Sequence, residues 1–204
     1  MNIKIYSFTS VGEIILEEKK ADLFKAAQAI FLQKGYKNTN VAEIARKANM
    51  AVGSFYKYYN SKEDIFLEVY NNENRLKQEE IITSFGSIDW NDDAEKIETQ
   101  VTQFIEKIFK NTILKQWYKP ETADLLRKYY DKAGIDNSTY HQFLIQTIMT
   151  GLKSRGLSQA KIFKILKTMK LIFYVDSRVS NNDVDDYEES MKTLIEYFIK
   201  GILK

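Results

Sequence analysis

Five cations, Lys37, Arg46, Lys47, Lys57 and Lys62, fall between Tyr36 and Lys62 against a single acid, Glu43. The stretch carries a net charge of +4 while the whole 204-residue chain carries only +2, so everything outside it is slightly acidic. Cations gathered in this way suit a polyanion such as a phosphate backbone. Residues among them have the chemistry to read base edges. Val52 offers an apolar contact for a thymine methyl, Ser54 a hydroxyl, and Lys57 donors for guanine O6 and N7. Gly53 lets another backbone approach closely. Lys62 stands at an expected helix start, where free N–H groups, the helix dipole and its own charge all favour a phosphate.

The elements that must position these groups are short helices. Asn40 suits an N-cap, with Glu43 three residues later as in a capping box. Ile44, Ala45 and Ala48 form an apolar side, and Asn49 follows where a left-handed residue ends a helix. The next helix is expected over about Val52 to Tyr58, with Phe55 and Tyr59 turned inward and the base-reading residues on the opposite side. Ser61 is placed to cap the helix after it, with Asp64 three residues on. Two short helices about a tight turn predict a helix-turn-helix, whose second helix enters the major groove. Upstream, Leu23, Ala27, Ile30 and Phe31 predict a bracing helix from about Glu13 to Lys34, stopped by Gly35.

The run Ala27, Phe31, Gly35-Tyr36, Thr39, Ile44-Ala45, Ala48, Gly53, Tyr56, Tyr59, Lys62-Glu63 resembles the TetR family of bacterial transcriptional regulators over about Leu23 to Val69. Asn49 stands where that family usually has Gly, and Ala51 where a capping Ser is common; losing such a cap costs about 1 kcal/mol. The resemblance implies a DNA-binding domain over residues 1–66, with Asn40, Tyr56 and Tyr58 joining Val52, Gly53, Ser54, Lys57 and Lys62 at the DNA. It also implies a helical ligand-binding and dimerisation domain over residues 67–204. The partners implied are a palindromic double-stranded operator, a small-molecule effector and a second copy of the chain.

Composition sets the outer bounds. At 44% hydrophobic and 28% charged residues, with one Pro and 8 Gly, the chain suits a packed all-α protein of long helices. The absence of cysteine removes disulfide and thiolate metal chemistry. No apolar run is long enough for a membrane span, and the first residues lack a signal-peptide pattern, so a soluble cytoplasmic protein is expected. Residues 1–12, with Ile3, Ile5 and Phe8, read as an arm or a frayed helix start. The series Asn181, Asp183, Asp185 has Asp186 and Lys192 where a calcium loop needs Gly and Glu, so a solvated loop is expected. His141 is the only histidine and has no nucleophile or ligand set beside it in the sequence. No catalytic constellation, phosphate loop, cofactor motif or metal site is expected, hence no enzyme and no cofactor.

After Lys62 one long helix through Ile65, Phe66, Val69 and Leu76 is expected to reach about Ile82. It would serve as a lever shared by both domains. Ser84 to Asp93 reads as a linker. Beyond it come an apolar stripe on Ile97, Val101, Phe104, Ile105 and Ile108, a break at Trp117 to Pro120 with Pro120 opening the next helix, and a helix capped by Asn137 or Ser138. Two last helices follow, one capped by Ser158. Phe104, Trp117, Tyr118, Tyr140 and Phe143, with Met149 nearby, are either plain core or the lining of an aromatic small-molecule cavity. Consecutive helical residues diverge by about 100°, so of Tyr140 and His141 only one, Tyr140, is expected to face such a cavity. Apolar surface at Phe173, Tyr174, Leu194, Tyr197 and Phe198 exceeds what a terminal helix pair needs and predicts a twofold interface. The rival readings are a helical protein–protein adaptor that keeps the helix-turn-helix only as structure, and a small-molecule-binding helical protein without DNA function.

Overall fold

The computed structural model describes residues 11–133, 138–179 and 183–203. Of the arm expected over residues 1–12, only 11 and 12 are among these residues, where they begin the first helix, and an Asn137 cap and Asn181 lie outside them. Among the described residues the chain is all-α: α1 (Val11–Lys34), α2 (Val41–Lys47), α3 (Val52–Phe55), α4 (Lys62–Gly86), α5 (Ala94–Lys110), a 3₁₀ turn (Leu114–Trp117), α6 (Ala123–Ala133), α7 (Ser138–Ser154), α8 (Gln159–Arg178) and α9 (Tyr187–Leu203). Two compact units divide between Val69 and Tyr70, inside α4.

The first unit closes around aromatic residues. Leu23, Ala27 and Phe31 of α1, Ile44 and Ala45 of α2, Phe55 of α3 and Ile65, Phe66 and Val69 of α4 are all fully buried. Phe66 meets Phe31 edge-on at 5.3 Å between centroids and Tyr36 at 4.7 Å. The Tyr36 hydroxyl donates to Glu63 Oε1 at the start of α4. Gly35 adopts φ 75° as the stop of α1, and the buried Thr39 hydroxyl donates to its carbonyl at 2.7 Å.

The second unit sets α5, α7, α8 and α9 around Ile97, Val101, Ile148, Leu152, Met169 and Met191. Gly156, at φ 79°, ends α7 with Leu157 N–H on the Leu152 carbonyl, the six-to-one bond of a Schellman motif. Ser158 then caps α8 through Lys161 N–H at 3.3 Å.

Two expectations change here. The stretch from Ser84 to Asp93 is not a free linker. Helix α4 runs on to Gly86, Ile88 is buried, and Arg155 Nη1 donates to the carbonyls of Trp90 (3.0 Å) and Asp92 (2.8 Å). The Trp90 ring lies so close to Gly151 that a Cβ there would fall 2.0 Å from Trp90 Cδ2. Gly151→Ala is therefore expected to expel the ring and destabilise by about 1–3 kcal/mol, the usual cost of overpacking. Thermal denaturation checks this, and an unchanged melting temperature would mean the ring swings away freely. Pro120, in turn, does not open α6. It lies in a turn three residues earlier, closed by Thr122 Oγ1 on the Gln116 carbonyl and by Ala123 N–H on the Lys119 carbonyl at 2.9 Å.

Candidate nucleic-acid interface and ligand cavity

Local hydrogen bonds shape the helix-turn-helix. Asn40 Oδ1 accepts from Glu43 N–H at 3.0 Å, as the spacing predicts, but the reciprocal half of the capping box is absent. The Glu43 carboxylate instead pairs with Lys34 of α1, because α1 packs directly behind α2. Asn49 sits at φ 56°, with its N–H on the Arg46 carbonyl and Met50 N–H on the Ala45 carbonyl, a complete Schellman turn. Ser61 Oγ accepts from Asp64 N–H at 3.1 Å to start α4.

The recognition helix is shorter than its expected span. Regular α3 covers only Val52–Phe55, and Lys57 and Tyr58 N–H turn back to the carbonyls of Ser54 and Phe55 in tighter three-residue bonds. Ala51 provides no side-chain cap and Gly53 is a poor helix former, so a longer α-helix is not held locally. The packing is as expected: Phe55 and Tyr59 are buried. Val52 (44%), Gly53, Tyr56 (55%) and Lys57 are exposed on the other side, with Ser54 and Tyr58 half-buried between. Arg46 and Lys47 at the end of α2 are exposed as well.

Lys62 departs from its expected role. Its Nζ donates to the carbonyls of Tyr36 (3.1 Å) and Thr39 (3.0 Å) and lies 3.9 Å from the Tyr36 ring centroid. Desolvation lowers its pKa from the ordinary lysine value, partly countered by Glu63. The side chain ties the α1–α2 loop to α4 instead of standing free for a phosphate. Truncating it therefore acts on the fold as well as on any DNA contact.

The second unit holds a cavity of about 460 Å³ that is partly open to solvent. Phe104 of α5, Trp117 and Tyr118 of the connection and Tyr140 of α7 line it as expected. Phe143, half-buried on α7, is not among the residues that line it. His141 does line the cavity and stacks on Phe173 at 4.7 Å, so both members of the Tyr140–His141 pair border it. A cavity this wide spans more than one helical turn's worth of directions. Phe173 and Phe198, expected at an interface between copies, also line it, since each is rotated by about 100° from its exposed neighbour Tyr174 or Tyr197.

Asp176 is the residue the sequence reading missed. It lies one turn beyond Phe173 on α8, in a run that reads simply as apolar helix. Its Oδ1 accepts from the Tyr118 hydroxyl at 3.1 Å and its carbonyl from Trp117 Nε1 at 3.0 Å. Burial pushes its carboxyl up to about 6, against the opposing pull of the Tyr118 hydroxyl and the Arg127 charge. On the α4 side, Asn74 Nδ2 donates to the Tyr130 hydroxyl at 3.0 Å, and both residues border the cavity.

The outer side of α8 and α9 exposes several large apolar side chains among lysines. Tyr174 is 64% exposed, Leu194 46% and Tyr197 70%, with Phe163 and Leu171 beside Tyr174 along α8. These are large apolar side chains with 46–70% of their area in water. No helix of the described residues is long and apolar enough to cross a membrane.

Residues 23–69 match the family of "Bacterial regulatory proteins, tetR family". Over 56 residues the chain is 39% identical to the uncharacterized HTH-type transcriptional regulator YuxN of Bacillus subtilis (strain 168), covering 28% of this chain and 19% of that protein. Over 66 residues it is 35% identical to the HTH-type transcriptional regulator HbdR of Aromatoleum sp. (strain CIB), covering 32% and 29%. The matches thus span less than a third of these relatives' length. The whole fold is similar to the fatty acid degradation regulator FadR from Bacillus halodurans, with TM-score 0.54 and 21% identity over 91% of this chain and 94% of that one. It is also similar to NemR of E. coli in its reduced form, with TM-score 0.51 and 14% identity over 90% and 96%. Residues 23–69 thus carry a helix-turn-helix of the kind found in the tetR family of bacterial regulatory proteins.

Proposed function

We propose that this protein is a ligand-responsive transcriptional repressor. Two copies bind a near-palindromic operator through their α2–α3 surfaces, and a small molecule held in the α4–α9 cavity releases them. The observation that carries the reading is the exposed strip Val52, Gly53, Tyr56 and Lys57, opposite buried Phe55 and Tyr59 on a unit with exposed cations at Arg46 and Lys47. The uncovered α8–α9 face supports the twofold pairing, which sets two equal recognition helices side by side. The largely apolar cavity with a few polar groups supports the effector. Release follows from linkage: if ligand and DNA favour different arrangements of the dimer, each weakens the other's binding.

Selection of operators from a random duplex pool tests this directly. A palindromic consensus is expected, with log affinity falling linearly against log salt. Lys57→Ala and Ser54→Ala are expected to relax one or two base positions per half-site, each at about 1–3 kcal/mol of discrimination. The same consensus from both variants would show that these residues do not read bases. Absence of any enriched sequence would leave the helix-turn-helix without a regulatory role.

A further inference from the structure

We propose that the cavity selects amphipathic organic cations, seating an apolar or aromatic body among Phe104, Trp117, Tyr130 and Phe173 and a protonated nitrogen against Asp176. The proposal deepens the reading of the cavity as the effector site and rests on it.

The first argument is the unused capacity of the Asp176 carboxylate. It can accept about four hydrogen bonds, and the Tyr118 hydroxyl supplies one, to Oδ1. The neighbouring cation, Arg127, directs Nη2 to the Val179 carbonyl at 2.6 Å and Nη1 toward Asp124 at 4.0 Å, and among the described residues its buried Nε makes no hydrogen bond, to Asp176 or to any other group. A carboxylate enclosed by aromatic rings and bonded to one hydroxyl is poorly solvated, which is why its proton affinity is raised. A ligand N–H⁺ meets that need.

The second argument is the wall. Aromatic ring faces carry negative electrostatic potential and attract a cation placed over them. Trp117, Tyr118 and Tyr130 lie together beside Asp176, with Trp117 edge-on to Tyr130 at 5.9 Å. The remaining charged side chains of the lining sit outside this nest. Lys77 is paired with Glu80, and Asp131 and Arg178 are exposed. A carboxylate ligand of the same shape would face Asp176 in a poorly screened interior, where like charges repel strongly.

Three probes of one shape decide the matter: 4-phenylbutylamine, 4-phenylbutanol and 4-phenylbutyrate, added to the full-length protein at pH 7.5. Trp90 and Trp117, the only two tryptophans of the chain, both border the cavity and report binding by fluorescence. The amine is expected to bind about tenfold more tightly than the alcohol, and the carboxylate most weakly. In Asp176→Asn the amine should lose its tenfold advantage over the alcohol. Amine affinity should also fall as the pH is lowered through about 6, where Asp176 gains its proton. Tyr70 of α4, Tyr118 of the connection, Arg127 of α6 and Tyr187 of α9 face Asp176, and His141 of α7 shares the cavity. Comparison with Asp176→Asn isolates the share of this pH dependence that belongs to Asp176.

Equal affinity of amine and alcohol, or an amine indifferent to Asp176→Asn, overturns the charge selection but leaves a working cavity. Tightest binding by the carboxylate overturns it in favour of an anion site at Arg127. Failure of all three probes to bind a protein with intact circular dichroism removes the effector site itself, and the proposal with it.

Discussion

Leu194→Glu is expected to yield a folded monomer whose operator affinity has dropped by a hundredfold or more. Leu194 is exposed on α9, three residues before the more exposed Tyr197. In a single chain a glutamate there stays in water and costs little. In the proposed twofold dimer the same position is buried twice, once from each copy, and each charge is stripped of water without a partner. An uncompensated buried charge costs about 3–5 kcal/mol. At about 1.4 kcal/mol per factor of ten, the two together weaken dimerisation far beyond a hundredfold. A monomer offers the operator one recognition helix in place of two, so affinity and half-site spacing are lost together. Sedimentation equilibrium and far-ultraviolet circular dichroism check both halves of the expectation. A variant that remains dimeric with full helicity would move the interface off this face.

Phe55→Ala is expected to abolish DNA binding by unfolding the first unit. The side chain is fully buried, packed edge-on to Tyr56 at 5.3 Å and tilted against Tyr59 at 5.7 Å. Removing a buried Phe ring costs about 3–5 kcal/mol, a large part of the roughly 5–15 kcal/mol that holds a whole domain folded. The loss falls on the weakest element, a four-residue α3 with no side-chain cap at its start. Calorimetry should show the melting transition of the first unit moved down by about 10 °C or more. Binding of probes in the cavity should persist at low temperature, since none of its lining residues precedes Tyr70. A variant with unaltered melting and an unaltered salt dependence of DNA binding would contradict the buried role of Phe55.

The features legible in the sequence are those closed over a few residues. The Asn40 and Ser61 caps, the left-handed Asn49 and the stop at Gly35 each depend on bonds spanning three to six positions. Such bonds follow from side-chain chemistry and backbone sterics alone. The buried faces of α1, α2 and α5 were equally readable, because a single repeating apolar stripe has only one side to bury. Together these determined an all-α chain opening with a helix-turn-helix. What tertiary structure decided is the use of residues that have two plausible partners. Lys62 had a phosphate or the carbonyls of Tyr36 and Thr39 to choose from, and these carbonyls are 26 and 23 residues away in sequence. Phe173 and Phe198 had the interior or the outer face, and the cavity between α5, α7, α8 and α9 took them. Trp90 read as loop until Gly151 left room for its ring. Asp176 is inconspicuous in α8 until Tyr118 and Arg127, about fifty residues before it, close around it. Periodicity names the sides of a helix, but only the packing of distant helices determines what each side meets.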